Sequence, residues 1–81
     1  MEHLKRSERL VLMTRILTNT PNIVHNFAEF CEMFDVAKST VSEDVDLIAY
    51  AMKLSGKGVV ETISGAAGDV VDLDRAALIS P

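Results

Sequence analysis

At 81 residues and 48% hydrophobic, the chain has material for one compact core and is expected to form one domain. With aromatics at 5% and no Trp, that core is built mainly from Leu, Ile, Val, Ala and Met, and the single cysteine, Cys31, excludes a disulfide framework. A formal net charge of −4 runs against the basic balance of nucleic-acid binding, and no apolar run approaches the ~20 residues that cross a membrane.

The charge is unevenly spread. In residues 1–15, Lys5, Arg6, Arg9 and Arg15 oppose Glu2 and Glu8 for a local charge of +2, and the remaining residues sum to −6. This N-terminal cluster reads either as the solvated face of a helix or as a basic arm. It leads into no apolar signal core with a small-residue cleavage site, so a reducing, cytoplasmic setting is expected.

Ser7 followed by Glu8 predicts the start of a first helix, because a hydroxyl accepts an orphan N–H and a carboxylate suits the positive end of the helix dipole. Leu10, Met13, Ile16 and Leu17 draw one apolar stripe, and the helix should end near Thr18, ahead of the turn Asn19-Thr20-Pro21-Asn22. Ile23-Val24 is too short for more than an extended connection or a one-rung strand. Asn26 and Glu29 have capping-box spacing, which predicts a second helix from Phe27 to Met33 or Phe34. Phe27, Phe30, Cys31 and Phe34 share its inner face.

Asp35-Val36-Ala37 leaves a three-residue break, the short connection of a helix-turn-helix unit. The third helix, opening at Lys38, has the clearest periodicity, with Val41, Val45, Ile48 and Met52 inward. Ser39 or Thr40 is expected to cap it, Thr40 with Glu43 again having capping-box spacing, and Gly56 and Gly58 end it. Val59–Ile63 and Val70–Leu73 are β-branched runs around a glycine-bracketed loop, so they predict a hairpin. Helix, helix, turn, helix, hairpin is the order of an α+β winged helix-turn-helix domain over residues 1–73. Residues 74–81 read as a linker to a further domain.

In helix-turn-helix proteins the second helix of the motif places its N-terminal residues in the DNA major groove. Here Lys38, Ser39, Thr40, Ser42 and Glu43 form that end. Ser39 and Thr40 suit phosphate, Lys38 adds a point charge, Ser42 suits a base edge, and Glu43 could accept from a cytosine amino group. The plainer reading makes Ser39, Thr40 and Glu43 caps and nothing more. Lys5, Arg6 and Arg9 at the first helix, and Lys57 before the wing, are candidate phosphate contacts.

Lys5-Arg6-Ser7-Glu8-Arg9-Leu10-Val11, Ala37-Lys38-Ser39-Thr40-Val41-Ser42-Glu43-Asp44 and Gly65-Ala66-Ala67-Gly68 closely resemble the start of the purine operon repressors. The resemblance spans essentially the whole chain, with the motifs in the same order and at the same spacing. It implies a winged-helix domain followed by a phosphoribosyltransferase-like domain, in a dimeric repressor of purine synthesis genes. The implied partner is operator DNA. The implied effector, phosphoribosyl pyrophosphate, belongs to the second domain, and no cofactor is expected in this chain. By position, Lys38, Ser39, Thr40 and Ser42 fall on the recognition helix, Lys5, Arg6 and Arg9 on the basic arm, and Gly65, Ala66, Ala67 and Gly68 at the wing tip. The family wing tends to be basic. Here Asp69 and Asp72 follow the loop, with no Lys or Arg between Gly58 and Leu73.

The rival reading is a winged helix used for protein interaction or dimerisation without DNA contact, which the acidic balance favours. The two are separated by whether Lys5, Arg6, Arg9, Lys38 and Lys57 converge on the face presenting Ser39 and Thr40. An enzyme finds little support: His3, His25 and Cys31 lack metal-ligand spacing, Cys31 reads as core and His25 as a surface or turn residue. Gly56-Lys57-Gly58 and Gly65-Ala66-Ala67-Gly68 match neither a P-loop nor a dinucleotide fingerprint.

Overall fold

The computed structural model describes residues 4–56, 58–63 and 68–73. Among them the chain order is α1 (Arg6–Asn19), β1 (His25–Asn26), α2 (Phe27–Phe34), α3 (Lys38–Ser55), β2 (Val59–Ile63) and β3 (Asp69–Leu73). The sheet is antiparallel in the order β1-β3-β2, with Val60 opposite Asp72, Thr62 opposite Val70, and His25 also opposite Val70 on the other edge. This is the expected α+β winged-helix arrangement. Lys57, Gly65, Ala66, Ala67 and the proposed linker 74–81 lie outside the described residues.

Helix α1 starts two residues earlier than a cap at Ser7 would place it. Lys5 is the cap position, and the Glu8 carboxylate accepts its backbone N–H at 2.8 Å, so the chain is turned into the helix by the reaching-back half of a capping box. Toward the other end, Thr14, Thr18 and Thr20 donate their hydroxyls to the carbonyls of Leu10, Thr14 and Ile16. Pro21 follows, and Asn22 takes a left-handed φ of 63°, which Asn tolerates better than most residues, while its N–H donates to Asp72 O at 2.7 Å. That bond fastens the turn after α1 to the central strand. The short edge strand β1 follows after Ile23 and Val24.

Asn26 caps α2 as expected, its side-chain oxygen accepting the Ala28 N–H at 2.7 Å. Glu29 does not close the box; it turns instead to His25, 3.3 Å from Nδ1. His25 is therefore no exposed turn residue: it lies in β1, half-buried, with Nε2 2.8 Å from the Thr20 hydroxyl and its ring against Phe30. Asp35 ends α2 in the left-handed region at φ 54°, and Val36 donates back to Cys31 O, which makes the turn tight enough for α3 to start at Lys38. The three-residue break is a true helix-turn-helix connection.

The core gathers Met13 and Leu17 of α1, Phe27, Phe30 and Phe34 of α2, Val41, Val45 and Ile48 of α3, and Val60 and Val70 of the sheet. Cys31 packs partly buried against it. Phe30 and Phe34 stack with centroids 6.1 Å apart, and each contributes about 1.5–3 kcal/mol by leaving water. At the loop end of the wing, Phe27 N–H donates to Gly68 O, and the Phe27 ring lies over Gly68 so closely that a Cβ there would meet it at 3.0 Å. With φ at 78° as well, that position is suited to glycine. It ties the start of α2 to the wing.

Candidate nucleic-acid interface

The N-terminal turns of α3 form the candidate site. Val41, Asp44, Val45 and Ile48 are buried, which turns Lys38, Ser39 and Glu43 outward and leaves Thr40 and Ser42 half-exposed. The predicted capping by Ser39 or Thr40 is corrected by the structure. Ala37 is the cap, with extended backbone at φ −73° and ψ 157°, and both Thr40 N–H and Val41 N–H donate to its carbonyl. Ser39 and Thr40 consequently lie inside the first turn. Alanine has no side-chain acceptor, the cap makes no side-chain hydrogen bond, and no acidic residue occupies that turn. The first turn of this 18-residue helix thus carries Lys38, two hydroxyl residues and backbone N–H groups at its positive end.

Glu43 does not pair with Thr40. Its carboxylate lies 3.6 Å from Arg6 Nη2 of α1, both side chains more than half exposed at 67% and 60%. An exposed pair of this kind is worth about 0–1 kcal/mol and is screened by salt, so Arg6 is easily redirected to another anion. The contact brings the basic arm alongside the start of α3. Lys5 is exposed next to it.

Arg9 belongs elsewhere. Its side chain is 11% exposed and its Nε donates to Asp44 Oδ2 at 2.9 Å, with Nη2 3.5 Å from Oδ1 and Nη1 donating to Leu4 O at 3.2 Å. The hydrogen bond to Asp44 raises the guanidinium pKa above its ordinary value, against burial, and the Asp44 charge adds to that rise. Three of the five guanidinium N–H groups are thus engaged inside the fold, two on a buried carboxylate and one on a carbonyl. Where the sequence placed Arg9 on the basic arm, the structure turns its side chain inward, joining α1 to α3 from within.

Asp44 was no candidate at all, yet the signal was present. It stands three residues after Val41 on the inward stripe of α3, where a carboxylate requires a partner, and Arg9 occupies the matching end of the stripe Arg9, Met13, Leu17 on α1. The wing is also less acidic at its surface than its sequence implies. Asp72 is buried at the base of the hairpin opposite Val60, and Asp69 is half-buried opposite Ile63. Of the wing-tip residues, only Gly68 is described.

Elsewhere, a cleft of about 450 Å³ runs between α1 and α3, lined by Leu10, Val11, Thr14, Arg15, Leu47 and Ala51 among others. Among the described residues no group of His, Cys, Asp and Glu is placed to hold a metal ion, and no helix is long and apolar enough to cross a membrane.

Residues 5–71 match the bacterial purine repressor N-terminal domain family. The chain belongs to that family. This purine repressor N-terminal domain is 43% identical over 67 residues, 83% of the chain, to the purine biosynthesis transcriptional activator of Lactococcus lactis. It is 35% identical over 68 residues, 84% of the chain, to the probable purine biosynthesis transcriptional regulator of Streptococcus pneumoniae. With the purine biosynthesis transcriptional repressor of Bacillus subtilis it shares 38% identity over 66 residues, 82% of the chain. The matches cover 25%, 25% and 23% of those proteins, so the chain spans about a quarter of the length of its relatives.

Proposed function

We propose that this chain binds duplex DNA at purine biosynthesis genes, with the first two turns of α3 in the major groove. One observation carries the reading: α3 is anchored by Val41, Val45 and Ile48 so that an end free of side-chain caps and acidic first-turn residues faces outward, beside the basic arm. Ser39, Thr40 and the first-turn backbone receive phosphate, and Lys38 adds charge. Ser42 reaches a base edge, and Glu43 accepts from a cytosine amino group once Arg6 exchanges it for phosphate. Lys5 joins Arg6 on the backbone. Lys57 and the wing loop 65–68 contact the flanking backbone, in keeping with the resemblance. The role is non-catalytic.

Regulatory relatives include both an activator and a repressor, so DNA binding is the property proposed here, with repression the sense implied by the operon-repressor resemblance. A homodimer would place two such helices one helical turn of DNA apart, about 34–36 Å, and predicts paired half-sites at that spacing. Phosphoribosyl pyrophosphate would act through the three-quarters of the relatives' length that this chain does not span. The test is fluorescence anisotropy with labelled promoter duplexes from the purine synthesis genes of the source genome. Binding about tenfold or more tighter than to a scrambled duplex, the discrimination that a good base contact supplies, supports the reading; equal binding to both overturns it.

A further inference from the structure

The Arg9–Asp44 pair does more than hold two helices together. A buried ion pair is a poor source of stability, because desolvation consumes most of its attraction, and apolar replacements of similar volume are often neutral or stabilising. What such a pair supplies well is direction. The shared core of Met13, Leu17, Val41, Val45 and Ile48 is held by burial, which is non-directional and tolerates small rolls or slides of α3 on α1. The planar guanidinium accepts the carboxylate in one orientation, here through Nε and Nη2 together.

Its third nitrogen contact extends the constraint to the arm. Nη1 donates to Leu4 O, the carbonyl immediately before Lys5 and Arg6, while Asp44 follows Ser42 and Glu43 directly in α3. One buried side chain thus contacts both the residue before Lys5 and the residue after Glu43. Among the described residues no buried side-chain polar atom is left without a partner, so the arrangement is fully satisfied.

Resting on the DNA-binding reading above, we infer that Arg9 and Asp44 are positioning residues for sequence discrimination, locking the angle between the basic arm and the recognition helix. The test uses the full chain and the duplex that the unmutated chain enriches from a random pool, compared with a scrambled duplex. The variant pair Arg9→Met/Asp44→Leu is expected to keep or raise the thermal midpoint, yet to lower discrimination at least about tenfold, the scale of one well-placed base contact. Its affinity for scrambled DNA, and the salt slope of that affinity, should be unchanged, because no phosphate contact is removed. Arg9→Lys, which keeps the charge but not the fork, provides the second arm and should lose part of the discrimination while folded.

Full discrimination in either folded variant overturns the inference and leaves the DNA-binding reading standing. A salt slope reduced by about one phosphate for Arg9→Met/Asp44→Leu overturns it differently, by making Arg9 a direct contact. Failure of the unmutated chain to enrich any duplex removes both.

Discussion

Lys38 is the side chain on which the chemistry of the α3 end turns most simply, since it brings positive charge to the first turn and lies on the exposed side. Its proposed role is to phosphate, which carries no sequence information. Lys38→Ala should therefore weaken promoter and scrambled duplexes alike and reduce the slope of log affinity against log salt by about 1, measured by anisotropy across a salt series. A selective loss on the promoter duplex would instead make Lys38 a base reader. Arg6 and Arg9 show why charge patterning alone could not sort the arm. Both are arginines at the start of the same helix, but Arg6 falls outside and Arg9 falls on the buried stripe with Met13 and Leu17. The difference is a matter of helical phase, and it becomes decisive only with the second helix, because an arginine is buried where a carboxylate waits for it. Asp44 supplied that carboxylate.

At the scale of elements, long amphipathic runs were legible and short polar ones were not. The bounds of α2 follow from Asn26 and the Phe27, Phe30, Phe34 spacing, and the cap is present as expected. Asn26→Ala should cost about 1 kcal/mol in a urea or guanidinium denaturation series, with an unchanged denaturant slope. Helix α3 opens at Lys38 as expected, but its cap is not the expected one, for a definite reason. Thr40 and Glu43 satisfy the spacing of a capping box, but spacing records only what is possible within a helix end, and the end itself is placed by the turn before it. With Asp35 left-handed and Ala37 extended, the helix begins early enough that Thr40 is already inside it. Glu43 was then available to Arg6. Strand β1, two residues long, is too short for any periodicity; it exists because β3 offers it an edge through Val70 and Asp69.

For the molecule as a whole, the order of elements and the alternation of helical and extended periods were sufficient to identify the winged-helix domain, and the motifs around Lys5, Lys38 and Gly65 to identify the family. What the sequence left open was how its acidic balance is distributed. Folding buries Asp44 together with Arg9, a neutral pair, and buries Asp72 in the wing, so the surface balance is less acidic by one charge than the sequence total. In the proposed function the α3 end and the arm together form the DNA-facing surface. Amide chemical-shift mapping of the isotopically labelled chain during titration with a purine promoter duplex tests it most directly. The largest shifts are predicted at residues 38–43 and at Lys5 and Arg6, with Leu47 and Ala51 in the cleft little changed. Shifts centred on Val11, Leu47 and Ala51, with residues 38–43 undisturbed, would contradict it.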